Sequence, residues 1–329
     1  MRAARHVALL GLLGLCLAGG TRVRAGQPPP PAQGGIGQTP SSLPLTASVR
    51  ERGSSVTPAF EGWYFDRDGS VRLLVGYFNR NTKQEFDIPV GPNNRIEPGG
   101  PDMGQPTHFG TGRGWGVFSI ALPKDFGTKK LTWTIVANGF TNAITLHTQA
   151  DYVVEPFEDA ANKNTPPKVK FKENSDTFTG APKGIAEKYA ATVGAPLTIS
   201  VWATDEGPKI NVPEPRGGGR GRGRGGDAAA GGGRGGAAIP AEFQPAPPLA
   251  LTWSKFRGPG DVKFDNVKPS IDRANGGKST VNATFSEPGD YILRLEANDS
   301  TGAGGGGFQC CWTSAHVGVT VKPAAGTGG

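Results

Sequence analysis

The chain has 329 residues, 52 of them glycine and 29 proline, with 3 cysteines and a formal charge of +7. Glycine and proline at this density exclude a coiled coil or helical bundle. Three cysteines in so long a chain exclude a disulfide-stapled miniprotein. The length suits two domains or one large one.

Residues 1–25 carry the pattern of a secretory signal. Arg2, Arg5 and His6 precede an uncharged run over 7–20, and Val23 and Ala25 occupy the small-residue positions before a cut at Gly26. The run is shorter than the roughly 20 residues that a bilayer-spanning helix needs. Leu15 stands before Cys16 where a bacterial lipobox wants a small residue, so Cys16 is expected to leave with the signal. The charge is also local. Outside residues 1–25 and the tract 216–236, 26 basic residues face 27 acidic ones. A nucleic-acid-binding face is therefore not expected, and no nucleic-acid partner. No later stretch is long enough to span a membrane.

Residues 26–44 are a Pro/Gly/Gln/Ser spacer expected to be a disordered leader, and 324–329 a disordered tail. Residues 45–155 read as a β-sandwich domain. Apolar-aromatic runs at 60–65 and 71–78 flank Asp66-Arg67-Asp68-Gly69-Ser70, a hairpin signal, because glycine tolerates the positive φ of the turn. Further strands are expected at 116–122, 131–137 and 144–154. In 131–136, Leu131, Trp133 and Ile135 alternate with Thr132 and Thr134, the pattern of a sheet with one face in a core. Residues 89–106 read as a long loop. The best short helix candidate is 184–191.

Residues 156–165 are polar and aperiodic and read as the join between domains. A second β-sandwich is expected over 166–323, with strands at 197–203, 249–254, 280–285, 291–297 and 316–322 and a flexible insertion at 207–248. Within that insertion, 216–236 holds twelve glycines and five arginines. It lacks the interleaved aromatics of an RNA-binding tract, and an exported chain would not meet cytosolic RNA. A tolerated surface loop is the better reading. Gly221-x-Gly223-x-x-Gly226 follows no strand and opens no helix, so it is not a dinucleotide fingerprint.

The segment from Phe285 through Pro288-Gly289-Asp290-Tyr291 to Asp299 resembles the late strand pair of PKD-type and cadherin-like immunoglobulin-fold domains. Trp202 to Asp205 and Leu251 to Trp253 resemble their middle strands. The resemblance covers about 190–322 and implies an immunoglobulin-like sandwich, here interrupted by the insertion. Such modules usually serve adhesion or spacing. The FEGWY (60–64), GYFNRN (76–81) and QCCW (309–312) segments resemble those shared by a group of secreted bacterial proteins. That resemblance implies an envelope or secreted location and supplies no activity.

Candidate recognition residues cluster in the loop before the last strand. They are Phe308 and Trp312 for stacking, Cys310 and Cys311 for locking the loop, and His316 for hydrogen bonding. With the signal removed, Cys310 and Cys311 are the only cysteines. A vicinal disulfide, an intermolecular link and two free thiols are all open, as is a core role for Trp312. Thiolates with His316 would suit a soft metal such as Cu(I), but three ligands are fewer than a structural zinc site needs. His108 is the best single candidate in the first domain. Asp66-x-Asp68-Gly69 and Thr204-Asp205-Glu206 look like fragments of calcium loops but read better as turns. No G-x-S-x-G, H-E-x-x-H or P-loop pattern is present, and no cofactor is implied.

The expected protein is thus all-β, two sandwiches with the second immunoglobulin-like. Its expected role is exported, non-catalytic binding or structure, with a protein or glycan partner of the cell envelope. The alternatives are a glycan-binding accessory or domain of a secreted hydrolase, and a soft-metal-binding periplasmic protein.

Overall fold

The computed structural model describes residues 50–160, 163–207, 249–299 and 310–324. The signal, the leader, most of the insertion with its Arg-Gly tract, Phe308 and the tail from 325 onward lie outside the described residues.

Two long strands open the fold, β1 (Val56–Phe65) and β2 (Val71–Asn79), paired antiparallel around the Asp66–Ser70 turn. Gly69 has φ +79, and Asp68 Oδ1 accepts from the Ser70 amide at 2.9 Å, so the Asp-Gly chemistry closes the hairpin. After the short β3 (Phe86–Asp87), β4 (Asn94–Glu97) and β5 (His108–Phe109) comes β6 (Gly112–Ala121), which joins the hairpin in the sheet β1-β2-β6. β4 pairs with β7 (Leu131–Ala137), which pairs with β8 (Phe140–Leu146). Leu73, Val75, Phe118, Trp133 and Ile135 fill the core between these two sheets.

Two expectations for this region change. Residues 89–106 are not all loop, because β4 lies within them. Asn94 explains it: its buried amide donates to the Ile88 and Pro106 carbonyls, and its oxygen accepts from Trp133 Nε1 at 3.0 Å. The predicted strand 144–154 ends at Leu146, and Ala150–Tyr152 form a 3-10 turn.

The second half contributes β9 (Lys168–Lys170), β10 (Ile185–Thr192), β11 (Leu197–Thr204), β12 (Leu249–Arg257), β13 (Val262–Phe264), β14 (Lys278–Phe285), β15 (Gly289–Asp299) and β16 (Trp312–Lys322). They form two four-stranded sheets, β10-β16-β15-β12 and β13-β14-β11-β9. Taken in chain order, the second sheet follows the A-B-E-D arrangement of an immunoglobulin-like sandwich and the first supplies C, F and G. Ile199, Val201, Trp253, Val281, Leu293 and Val317 pack between them.

Residues 184–191 are not a helix. They form β10, which pairs in parallel with β16 from Ile185 to Thr192. The stretch 156–165 contributes buried side chains as well: Asn164 is fully buried, and Phe157 meets Tyr64 edge-on.

β2 is buried on both faces, which is why it reads as a continuous apolar run. Leu73 and Val75 face the first core, while Leu74 packs with Tyr64, Ala181 and Trp312 in a small third cluster. Among the described residues no helix is long and apolar enough to cross a membrane.

Candidate functional site

Three of the segments singled out in the sequence meet at Gly116. β1 carries a bulge between Phe60 and Gly62, so Glu61 is the extra residue and its side chain turns inward. Its carboxylate accepts from Arg113 Nη2 and from the Gly116 amide, each at 2.7 Å. Burial pushes the Glu61 carboxyl up, against the pull of Arg113. Gly76 makes room for this pair: a Cβ there would lie 2.1 Å from Glu61 Oε1. On the other side of Gly116 lies the Trp312 ring. A Cβ on Gly116 would fall 1.9 Å from Trp312 Cη2, and the residue has φ +47. Glycine is required here for space and for backbone conformation together.

Trp312 is accordingly 2% exposed. The proposed stacking residue is enclosed by Gly116, Tyr64 and Leu74, and its ring offers no open face to a ligand. Cys310 and Cys311 are bonded to each other, 4% and 1% exposed, and Cys311 has φ +80. Adjacent strand residues point to opposite faces, so the bond requires this departure from extended backbone. Both sulfurs are spent, so neither is a thiolate ligand for a soft metal in this state.

His316 is buried beneath the first sandwich. Its Nε2 donates to the Val117 carbonyl at 3.0 Å, and its ring lies 4.1 Å from that of Phe256. Its cross-strand partner is Arg294, which donates to Ser314 Oγ and to the Trp115 carbonyl, both at 2.8 Å, and pairs with Glu296. Burial, reinforced by the Arg294 charge, lowers the His316 pKa to about 3. The imidazole is a neutral structural donor at neutral pH.

His108 sits elsewhere, at the join of β5 and β12. Its two nitrogens face Asp87 Oδ1 at 3.0 Å and Glu85 Oε2 at 3.3 Å, and Lys255 Nζ reaches the same Asp87 oxygen at 2.8 Å. Both carboxyls lie below their usual range. His108 is the main cause for Glu85, while for Asp87 the pull of Lys255 and His108 overcomes burial. The structure does not bring His108 together with the residues of the last loop, and Phe308 lies outside the described residues.

The two calcium-like fragments behave as turns. Asp68 is held by Lys183 Nζ at 2.6 Å. Asp205 has one oxygen accepting from the Gly207 amide and the other buried without a hydrogen-bond partner. Burial first, and Asp299 second, raise its pKa to about 6. A raised carboxyl costs stability when ionised, so the penalty is present at neutral pH and disappears as pH falls toward 4. Asp205→Asn is expected to stabilise the protein by about 1 kcal/mol at pH 7.5, after discounting for solvent screening. Denaturant unfolding at pH 7.5 and pH 4 checks this; an equal gain at both would contradict the ionisation account.

One concavity was missed by sequence reasoning. A groove of about 1000 Å³ opens at one end of the first sandwich, between the β1–β2 turn and residues 122–127. Trp63, Phe65 and Phe126 line it, with Asp68 and Lys124 at its margins. Phe65 is 60% exposed and meets the Trp63 ring edge-on at 5.4 Å. The signal was present as an aromatic residue at the last strand position before a polar turn.

These features define an all-β protein of two sandwiches with its conspicuous polar and sulfur groups turned inward. No protein-family model matches the chain, and no curated protein matches it. Solved structures similar to it include the S-layer protein rSbsC(31-844), with 11% identity and a TM-score of 0.21 over 82% of this chain; the chain spans 28% of that protein. Domains 4 and 5 of the S-layer protein SbsC match with 12% identity and a TM-score of 0.19, over 82% of this chain and 98% of that one. The D00-D0 domain of Intimin matches with 10% identity and a TM-score of 0.24, over 82% of this chain and all of that one (100%). Such scores do not place the chain with either protein.

Proposed function

We propose that this chain is an exported, non-catalytic β-sandwich protein of the bacterial envelope or exterior, acting by binding or as a structural module. The observation that carries the reading is the Cys310–Cys311 bond, buried immediately before β16. Disulfides persist in oxidising compartments, in keeping with the secretory pattern of residues 1–25. The non-catalytic part rests on how the titratable groups are used. His316 is spent on Val117, Glu61 on Arg113 and Gly116, and His108 on two carboxylates. None of the three lines the groove, where the acid present, Asp68, is itself held by Lys183.

Fractionation of cells expressing the full-length chain should recover it outside the cytoplasm with residues 1–25 removed. Its intact mass should lie two hydrogens below that of the reduced sequence, and denaturation with a thiol should restore them. A cytoplasmic, fully reduced protein would refute the reading. The glycan-binding alternative is favoured over the soft-metal one by the aromatic groove, because the thiols that a soft metal would need are bonded to each other.

A further inference from the structure

We propose that the groove between the β1–β2 turn and residues 122–127 binds an acidic oligosaccharide, with Trp63 and Phe65 as the stacking rings and Lys124 as the carboxylate partner. The inference rests on the binding-module reading and names its ligand class. Sugars present a face of C–H groups to aromatic rings and a rim of hydroxyls to polar groups. A concave aromatic site with a few polar margins suits them. At about 1000 Å³ the groove matches the upper range of ligand pockets and is long enough for more than one ring.

Two features hold Trp63 in place. The indole N–H of Trp63 donates to the Gln149 carbonyl at 2.7 Å, which fixes the plane of the ring. The segment carrying Gln149 is in turn bound to β1, where the Val154 amide donates to the Trp63 carbonyl at 2.9 Å. Phe65 then stands against this fixed ring with more than half of its surface in solvent. A ring fixed before binding, as that of Trp63 is, loses little freedom when a sugar covers it.

Charge selects the class of sugar. Asp68 and Asp66 share Lys183, at 2.6 Å and 3.1 Å, and Asp66 also faces Arg72 at 3.9 Å, so the two carboxylates meet two cations. Lys124 has no ion-pair partner among the described residues. The nearby Asp125 is taken by Lys129 at 3.2 Å. The uncompensated charge at the groove is therefore positive, which favours a uronic acid over a neutral hexose.

The test is calorimetric titration of the full chain with tetragalacturonate, cellotetraose and laurate at two salt concentrations. Tetragalacturonate should bind most tightly and weaken with salt. Phe65→Ala should weaken it about tenfold or more, the loss of one stacked ring. Lys124→Ala should weaken it several-fold and flatten the salt dependence. Phe65 and Lys124 are both exposed, so unchanged melting of the variants is expected and verifies that they fold. Binding of tetragalacturonate that neither variant alters would place the contact elsewhere, on the Arg-Gly tract for example, and overturn the proposal. Equal binding of cellotetraose, or binding of laurate alone, would overturn it as well. Such failure with the Cys310–Cys311 bond intact would leave the exported, non-catalytic reading standing, since that reading rests on the bond and on the compartment.

Discussion

Trp312→Ala is expected to destabilise the protein by about 3–5 kcal/mol, the range for deleting a fully enclosed aromatic side chain. The ring is 2% exposed and touches both halves of the molecule: Tyr64 and Leu74 on one side, its own strand β16 on the other. Its removal opens a cavity over Gly116, whose amide anchors Glu61. The neighbourhood cannot easily collapse, because β2 is buried on both faces and β6 is held by the Glu61–Arg113 pair. Urea unfolding monitored by circular dichroism measures the loss directly. A variant of unchanged midpoint that had lost only ligand affinity would show instead that Trp312 is a recognition residue. The bond between Cys310 and Cys311 precedes the ring in sequence and closes the same seam, so reduction and Trp312→Ala should not add independently.

The neutral, buried His316 should make one contribution to stability fall with acid well before most carboxylates titrate. His316 is neutral in the folded protein, with its pKa near 3, whereas in the unfolded chain it protonates near 6.5. Below that value the unfolded state binds more protons than the native one, so stability falls with pH at up to about 1.4 kcal/mol per unit. The loss continues until the folded pKa is reached. Asp205 and Glu61 act in the opposite sense, because their raised carboxyls are relieved by protonation. The paired carboxylates Glu85, Asp87 and Asp102, held below their usual range, lose stability only below about pH 4.5. The His316 contribution is therefore read as the difference between wild type and His316→Gln from pH 6.5 to 5. The glutamine amide can still donate to the Val117 carbonyl but does not titrate. The substitution should flatten the acid limb of the stability profile. An unchanged slope would mean that His316 is solvated or already protonated in the fold.

Much of the architecture was legible because the local signals and the tertiary structure agree. The Asp-Gly turn at 68–69 and the alternation from Leu131 to Ile135 each encode a strand without reference to the rest of the chain. The turn before Tyr291 does so too, and it fixes the order of the second sandwich. Residues 184–191 failed for the opposite reason. Ala186, Glu187, Lys188, Ala190 and Ala191 are good helix formers, but their partner is β16, some 130 residues away, and tertiary pairing overrides propensity. Asn94 is a related case, since the Trp133 indole and the Ile88 and Pro106 carbonyls make sense of an asparagine in a buried strand.

The candidate site was harder to read for a physical reason. Adjacent cysteines beside a tryptophan look like an exposed feature when read along the chain. What admits the tryptophan ring is Gly116, nearly two hundred positions earlier, and a missing Cβ leaves no local signature. His316 likewise looks available until the Val117 carbonyl is seen beside it. Conversely, Phe65 looks like the end of a core strand, and only the open mouth of the sandwich shows that it faces solvent.

The position of β16 bears on when the protein can fold. It is the last strand of the described chain, yet it lies inside its sheet, between β10 and β15. A chain delivered amino end first can form the opening hairpin early, since its strands are neighbours in sequence. The second sandwich must wait, because β10 and β15 have no strand between them until β16 arrives. The same segment carries Trp312, so the seal over the first sandwich arrives with it. Completion is thus deferred until β16 is delivered, and the parts with the most distant contacts are the slowest to form. Under the export proposed above, a chain that crossed a membrane unfolded would keep its second sandwich open until β16 had crossed.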